Sequence, residues 1–253
     1  MTRTMEKIAP ALLIVSVFVV WELFCLMAGI SELVLPRPTQ IVAALVKYAP
    51  AIWPHAWQTF YTTMVGFAFG VAIGLSLGVL IGSSKLAYKT AYPLLVGISS
   101  VPKVAVVPIF VLWFGAGTVP AILTAMIICI FPIVVNVATG IATVEPELED
   151  VMRSLKATKM EILRNVGLPR SMPYFFASLK VAITLSFVGS VIAETVASNK
   201  GVGNLMMIAA SSFNVPLVFA GLMVLAVMGM SLYAIFSVIE RRMAGWAMRK
   251  EVQ

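Results

Sequence analysis

The sequence predicts an all-α integral membrane protein with six transmembrane helices. Of its 253 residues, 60% are hydrophobic and only 11% are charged, and the mean hydropathy is +1.00. A water-soluble domain carries about 25% charged residues, so this chain lacks the polar surface that such a domain needs. Six segments are also apolar over the roughly 20 residues that a helix needs to cross the hydrocarbon core.

The predicted spans are residues 8–29, 58–82, 88–114, 119–143, 173–196 and 216–239. They divide the chain into a first helix with an outer segment (1–56), a five-helix core (57–240) and a basic tail (241–253). The core contains one long loop, residues 144–172, between spans four and five. The first span is too long for a cleaved signal peptide, so it is kept as a membrane helix.

The distribution of Lys and Arg predicts the orientation. If the N-terminus is cytoplasmic, the cytoplasmic segments hold 13 of these residues and the outer segments hold 3. Cytoplasmic loops carry this excess in membrane proteins, so both termini are predicted to be cytoplasmic. The same rule accounts for the balance of 18 Lys and Arg against 11 Asp and Glu. We therefore expect contact with membrane lipid and none with nucleic acid.

Residues for metal or nucleophilic chemistry are scarce. Cys25 and Cys129 each stand alone in an apolar run, and His55 is the only histidine. This argues against an enzyme, a disulfide framework, a metal site and a bound cofactor. The sequence also has no G-x-x-x-x-G-K-S/T phosphate loop, so this chain cannot hydrolyse ATP by itself.

The loop between spans four and five is amphipathic. Its acids come first and its bases follow, as the dipole of a helix favours, and apolar residues recur at helical spacing: Val151, Leu155, Ile162 and Val166. We predict a helix that ends at Leu168-Pro169, because proline interrupts the hydrogen-bond ladder. Such a helix either lies on the inner membrane surface or docks in a groove of a cytoplasmic partner.

The stretch 149–159, followed by Leu168-Pro169, resembles the EAA loop of ABC importer permeases. In that family an acid, two small residues and, a few positions later, a glycine precede a Leu-Pro pair. Counting back from Leu168-Pro169 aligns the acid with Asp150, and Glu149 supplies it if the register moves by one.

This sequence departs from the EAA pattern at three places. The acid is Asp150 rather than a glutamate, the two small positions hold Val151 and Met152, and the glycine position holds Lys156. The spacing to the Leu-Pro pair is intact. The resemblance implies that the ATPase-coupling residues are Glu149, Asp150, Arg153, Ser154, Leu155, Lys156, Ala157, Thr158 and Leu163.

Three more stretches are similar to the nitrate, sulfonate and taurine branch of these permeases, and the resemblance covers residues 57–240. The first is Val101-Pro102-Lys103-Val104-Ala105 with Pro108 and Leu112-Trp113-Phe114-Gly115. The second is Phe131-Pro132-Ile133-Val134-Val135-Asn136 with Gly140, and the third is Ala193-Glu194 followed by Gly201-Val202-Gly203.

The resemblance implies a permease subunit of an ATP-driven importer in the bacterial inner membrane. Its expected partners are cytoplasmic ABC ATPase subunits that use the ATP, an extracytoplasmic solute-binding protein and a second permease copy, which makes a homodimer. The expected cargo is a small organic anion such as nitrate, a sulfonate or taurine, or a pyrimidine vitamin precursor. The Pro102-Lys103 pair resembles the pyrimidine-precursor members more closely.

Three polar residues within the spans are candidates for the translocation pathway: Lys103, Asn136 and Glu194. Pro102 and Pro108 should break span three, and freed backbone at membrane depth must face protein or a water-filled cavity. Lys103 could attract an anionic or electron-rich substrate there, or extend to an interface. Glu194 could pair with the binding protein, close a gate or meet water, and Asn136 could line the pathway or join two helices.

These charges leave a secondary transporter or channel as the alternative function, with Lys103 and Glu194 as its ion-coupling candidates. Span two also carries five glycines at a strict four-residue spacing: Gly66, Gly70, Gly74, Gly78 and Gly82. Small residues in one stripe let helices approach closely, so the stripe predicts tight packing within the bundle or between two copies. Lys180, near the inner end of span five, is expected to extend to the inner surface.

Overall fold

All regular secondary structure is helical in a computed structural model that describes residues 3–248, which confirms the all-α prediction. The ten α-helices of these residues are α1 (Arg3–Met27), α2 (Pro38–Gly82), α3 (Lys85–Ser99), α4 (Val107–Phe114), α5 (Thr118–Ala142), α6 (Pro146–Ser154), α7 (Lys159–Ile162), α8 (Leu168–Ala197), α9 (Val202–Ser211) and α10 (Val215–Met248). A 3₁₀ turn (Lys103–Val106) precedes α4, and a π-helical turn (Leu163–Gly167) precedes α8.

Four helical runs of the described chain are long and apolar enough to cross a membrane: Pro38–Gly82, Thr118–Ala142, Lys159–Ser211 and Val215–Ala244. A fifth arises if α3 and Lys103–Phe114 count as one span. The apolar stretch Leu12–Met27 of α1 is shorter. The structure therefore shows four or five apolar spans, and the count of six stays a prediction. Residues 249–253 of the predicted basic tail lie outside the described residues.

The third predicted span is broken, as its prolines led us to expect. α3 ends at Ser99, and the next helical segment runs at 78° to it. Val101 precedes a proline and is therefore biased away from helical geometry, while Pro102 has an extended backbone (ψ 97°). Pro108 lies in the first turn of α4, where its missing N–H group costs nothing.

α2 is one continuous helix of 45 residues, although it contains Pro50 and Pro54. The predicted second span, residues 58–82, is therefore only the second part of a longer helix. The carboxylate of Glu22, in α1, accepts hydrogen bonds from the backbone N–H of Thr39 (3.1 Å) and its hydroxyl (2.9 Å). Glu22 thereby satisfies a donor in the first turn of α2 and complements its dipole.

The five glycines of α2 face α5 at van der Waals distance. A Cβ atom on Gly66 would lie 2.5 Å from the Cβ of Ala125 and 2.7 Å from a backbone oxygen of α5. Moving along α2, the glycines meet α5 residues in the same four-residue steps and the same order: Ala125, Cys129, Ile133, Val137 and Ile141. The two helices therefore run parallel, and the stripe packs within the bundle. We call this contact the glycine seam.

α8 packs against α5 beside the glycine seam and completes the core. A Cβ atom on Gly189 would lie 2.9 Å from the Ile128 side chain and 3.2 Å from the carbonyl oxygen of Thr124. The main cluster of buried apolar side chains joins α2, α5, α8 and α10 through Phe67, Ile133, Ile183, Phe187 and Leu232. The loop 144–172 thus connects two core helices, α5 and α8.

Substituting Gly66→Ala should destabilise the protein by about 1–3 kcal/mol, because the added methyl group overpacks the seam against backbone atoms that cannot rotate away. Gly97→Ala is the matched control, since nothing lies within 4 Å of a Cβ atom there and alanine favours the helix. Thermal unfolding of the two purified variants in detergent measures the difference. Equal unfolding temperatures would contradict a tightly packed seam.

Candidate functional site

The loop predicted to couple the protein to a partner contains two short helices rather than one. α6 ends at Ser154, Lys156 has a left-handed backbone (φ 60°), and the chain is helical again from Lys159 onward. The prediction that Leu168-Pro169 ends the helix is wrong. Pro169 lies in the first turn of α8, where proline is tolerated because N–H groups there lack helical partners.

Lys156 occupies the position at which the resemblance expects glycine, and it adopts the conformation that glycine favours. Its N–H donates to the carbonyl of Arg153 (2.8 Å), and the N–H of Ala157 donates to that of Met152 (3.0 Å). These two bonds form a Schellman motif, which ends helices at a left-handed residue. The spacing of the motif is thus kept without its glycine, at a cost of about 1–2 kcal/mol for the lysine.

A capping box starts the second helix of the loop. The hydroxyl of Thr158 accepts a hydrogen bond from the N–H of Glu161 (3.3 Å), and the Glu161 carboxylate accepts one from the N–H of Thr158 (2.7 Å). This reciprocal pair fixes the start of α7. Leu163 follows in the π-helical turn and packs against the main core cluster. The loop is therefore attached to the bundle from this residue onward.

α6 has an inner face and an outer face. On the inner face, the Glu149 carboxylate binds Arg153 (3.4 Å) and Lys85 at the start of α3 (3.7 Å). On the outer face, Val151 and Leu155 are 58% and 72% exposed. We call the exposed surface formed by Asp150, Val151, Ser154 and Leu155 the outer face of α6.

The two acids of α6 therefore have different surroundings. Glu149 is held between two basic side chains, whereas the carboxylate of Asp150 is exposed and makes no hydrogen bond or ion pair within residues 3–248. Ser154 donates its hydroxyl proton to the backbone carbonyl of Asp150 (2.9 Å). Of the two registers that the sequence left open, only the one through Asp150 leaves an acid free on the outer face.

The remaining coupling candidates lie around this break. Lys156 and Thr158 are exposed, and Ala157 is half-buried. At the base of the loop, Glu145 and Arg170 form an ion pair of 3.2 Å. Lys180 does not extend to the surface as expected, since its ammonium binds the buried carboxylate of Glu240 in α10 at 2.6 Å.

Lys103 lies at the bend of the third predicted span, and Asn136 lies in α5. The ammonium of Lys103 donates to the carbonyl of Ser99 (2.6 Å), at the end of α3, and lies 4.8 Å from the centre of the Phe131 ring. The Asn136 amide donates to the carbonyl of Pro132 (2.8 Å) within its own helix. Both side chains are half-buried, and neither binds the other or Glu194.

Glu194 is buried, with 1% of its surface exposed. Its carboxylate accepts hydrogen bonds from the hydroxyls of Thr59 (2.7 Å) and Thr62 (3.2 Å) on α2 and from the N–H of Gly203 (3.3 Å) on α9. We call these four residues, with Gly201, the Glu194 cluster. It attaches the segment before α9 to both α2 and α8.

The partners of Glu194 were not among the residues predicted from the sequence. His55, Thr59 and Thr62 follow one another at helical spacing on one face of α2, and this polar stripe was the available signal. The Nδ1 atom of His55 lies 2.8 Å from the carbonyl oxygen and 3.1 Å from the amide nitrogen of Gly201. Gly201 has φ 116°, and a Cβ atom there would overlap the carboxyl carbon of Glu194. Only glycine fits at this position.

Comparison with known families decides what this architecture belongs to. The family model of the inner-membrane component of binding-protein-dependent transport systems matches residues 70–245. The chain belongs to this family. It is an ABC transport permease, as the EAA-like loop indicated, and the match favours this function over a secondary transporter or channel. Family membership implies an ATPase and a binding protein as partners and places the permease in the inner membrane.

Curated relatives of the permease span nearly its whole length. It is 27% identical over 247 residues to the formylaminopyrimidine transport permease protein of Halalkalibacterium halodurans (97% of this chain, 98% of the relative). It is 33% identical over 230 residues to the riboflavin transport system permease protein of Chloroflexus aurantiacus (90% and 86%). It is 30% identical over 232 residues to a putative aliphatic sulfonates transport permease protein of Bacillus subtilis (91% and 84%).

The fold of the permease is that of solved ABC transporters. A chain of the MetNI methionine ABC transporter, in an inward-facing conformation, superposes with a TM-score of 0.66 and 21% identity. The superposition covers 77% of the permease and 98% of that chain. At this level of identity the likeness concerns the fold alone.

Replacing Lys156 by glycine should stabilise the turn after α6 by about 1 kcal/mol, because glycine adopts the left-handed conformation without a Cβ penalty. Lys159→Gly is the control, since residue 159 is helical and glycine weakens a helix. Hydrogen exchange of the amides of residues 153–162 should slow in the first variant and quicken in the second. A faster exchange in both would contradict the strained turn.

Gly201→Ala should destabilise the permease more than Gly117→Ala. Both glycines have positive φ (116° and 145°), so both variants carry backbone strain of about 1–3 kcal/mol. Only at Gly201 does the new methyl group also displace the buried carboxylate of Glu194, whereas nothing lies within 4 Å at Gly117. Thermal unfolding in detergent compares the two variants. A smaller loss for Gly201→Ala would show that the Glu194 cluster is loosely held.

Proposed function

We propose that the outer face of α6 docks in a groove of the ABC ATPase subunit and transmits its movements to the membrane helices. The observation that carries this proposal is the difference between the two faces of α6. On the inner face, the carboxylate of Glu149 is already paired within the chain, with Arg153 and with Lys85. The outer face presents a free carboxylate and two exposed apolar side chains, which is the pattern of a helix that binds in a groove.

The alternative, a helix that lies on the membrane, fits this pattern less well. Such helices turn an apolar face to the lipid and line it with Lys and Arg. On α6, the exposed residues next to Val151 and Leu155 include the acids Glu147 and Asp150. Two carboxylates would be repelled by an anionic lipid surface. A protein groove with a basic rim accommodates them.

The connection of the loop to the bundle supports the transmission of movement. Its first end continues from α5 and its second end runs through the π-helical turn into α8 without a break. The ion pair Glu145–Arg170 joins the two ends. Because α5 and α8 are both core helices, a displacement of α6 would be passed to helices that line the interior of the bundle rather than to a peripheral one.

The proposed topology has six spans, with α1 as the first and the bent pair α3–α4 as the third. Both termini and the loop 144–172 are then cytoplasmic, which the 13 to 3 distribution of Lys and Arg supports. Residues 1–56 form the peripheral helix and outer segment, 57–240 the core, and 241–253 the basic tail. A reporter domain fused to the C-terminus that proved to be extracytoplasmic would contradict this topology.

The proposed assembly is two copies of this permease, two ATPase subunits and an extracytoplasmic binding protein. For the cargo we propose a nitrogen heterocycle such as a pyrimidine vitamin precursor, because two of the relatives are named for the transport of formylaminopyrimidine and of riboflavin. An anion such as a sulfonate, taurine or nitrate is the second choice, since Lys103 is engaged with Ser99 and the Phe131 ring. Preferential uptake of a sulfonate by the reconstituted transporter would contradict this choice.

Asp150→Arg should reduce the amount of ATPase subunit that co-purifies with the permease by more than about tenfold, because it reverses a charge at the centre of the docking face. Glu32→Arg is the matched control, as it makes the same change at an exposed residue whose carboxylate accepts one side-chain hydrogen bond, from Gln40. Quantitative mass spectrometry of the affinity-purified complexes provides the measurement. If Asp150→Arg retained as much ATPase as Glu32→Arg, α6 would not dock through this face.

A further inference from the structure

A cavity of about 560 Å³ lies behind the inner face of α6, on the side away from the proposed docking surface. Its walls are the end of α2, the start of α3, the end of α5 and the helices α6 and α7. The basic residues that line it come from three separate elements: Lys85 from α3, Arg153 from α6 and Lys159 from α7.

The side chains of the cavity leave an excess of positive charge. Three cations face one carboxylate, that of Glu149, which lies between Lys85 and Arg153. Lys159 forms no ion pair with any described residue. The side chains of Lys85 and Arg153 are 73% and 59% exposed, so both can reach a ligand while Glu149 orients them.

Hydrogen-bond donors at the start of α3 also favour an anion in the cavity. Ser84 caps α3 by accepting from the N–H of Ala87 (3.3 Å), which leaves its own hydroxyl proton free to donate into the cavity. The first N–H groups of α3 have no partner within their helix, and such groups favour phosphate. The C-terminal ends of α2 and α5 oppose this effect, so the preference for an anion rests on the three cationic side chains.

The lining of the cavity also contains four apolar side chains: Leu86, Ile141, Ile162 and Leu163. Basic and apolar side chains in one cavity fit an amphiphile, whose phosphate binds the basic groups and whose glycerol and first methylene groups cover the apolar ones. The cavity lies at the ends of α2 and α5, two helices that are long and apolar enough to cross a membrane, which corresponds to headgroup depth in the proposed topology. A free phosphate would bind the basic groups and leave the apolar side chains without a partner.

We propose that this cavity binds the phosphate of an anionic phospholipid of the cytoplasmic leaflet. The bound headgroup joins the start of α3 to α6 and α7, and so fixes the loop against the bundle from behind. The assignment of this lipid site does not depend on the docking face of α6. The further idea that the bound lipid sets the position of α6 for the ATPase rests on the proposed function.

The test is native mass spectrometry of the full-length permease in detergent, titrated with phosphatidylglycerol or phosphatidylcholine. Phosphatidylglycerol should bind in preference. The double variant Lys85→Gln/Lys159→Gln should bind it about 25-fold more weakly, since each lysine near an anionic headgroup contributes about fivefold. Lys89→Gln/Arg242→Gln, which removes two exposed positive charges at the same end of the bundle but outside the cavity, should stay close to the wild type.

Equal weakening in both double variants would overturn the proposal, because the preference would then be a general effect of charge. Equal binding of the two lipids by the wild type would overturn it as well. Gel filtration verifies that each variant is folded, and Lys159→Glu provides a second variant, which should lose phosphatidylglycerol without altering the packing of the core.

A further arm separates the two sources of phosphate. If millimolar inorganic phosphate stabilises the wild type against thermal unfolding but not Lys85→Gln/Lys159→Gln, and phosphatidylglycerol is not retained, the site takes a soluble phosphate and the lipid assignment is wrong. Retention of phosphatidylglycerol in the presence of phosphate supports the lipid. None of these readouts needs the ATPase, so a failure here leaves the docking of α6 untouched, and a failure of docking leaves the lipid site untouched.

Discussion

The glycine seam between α2 and α5 is the contact on which the rest of the fold depends. Apolar side chains gain little by leaving lipid for each other, so helices in a membrane associate through close packing. Five glycines on α2 let the side chains of α5 rest against its backbone over four turns. α5 is thereby fixed in position and direction, α8 packs beside the seam, and the loop that joins α5 to α8 receives two firmly held ends.

The position of that loop connects the proposed docking helix α6 to the core of the bundle. Its inner face is tied to α3 through Glu149 and Lys85, and its end continues into α8. The left-handed residue Lys156 turns the chain sharply between α6 and α7, so α6 projects while α7 returns to the core. At the opposite end of the bundle the Glu194 cluster holds α9 to α2 and α8. α8 is thus attached at its start to the loop that carries the proposed docking helix and at its end to α9.

Local patterns predicted much of this structure, and long-range pairings account for what they missed. The apolar spans, the break at Pro102 and the close packing of the glycines follow from composition and spacing within one segment. The bonds from Lys180 to Glu240 and from Glu194 to Thr59 join residues that are 60 and 135 positions apart. The polar stripe on α2 marks Thr59 as a candidate for a buried contact, but a local pattern does not show which distant residue it pairs with. The break at Lys156 escaped prediction because lysine carries no turn signal, although the EAA-like spacing marked the position. Pro169 misled the prediction because proline also begins helices.

The most direct test of α6 as a docking helix is photo-crosslinking in intact membranes, with a photoreactive amino acid placed at Leu155 or at Leu80. Both side chains are apolar and exposed, at 72% and 67%, but Leu155 lies on the outer face of α6 and Leu80 on the membrane-spanning part of α2. A docking helix predicts that the probe at Leu155 is joined to an ATP-binding subunit and the probe at Leu80 to lipid. Lipid adducts from both positions, with no ATPase adduct from Leu155, would show that α6 lies on the membrane and would contradict the coupling role.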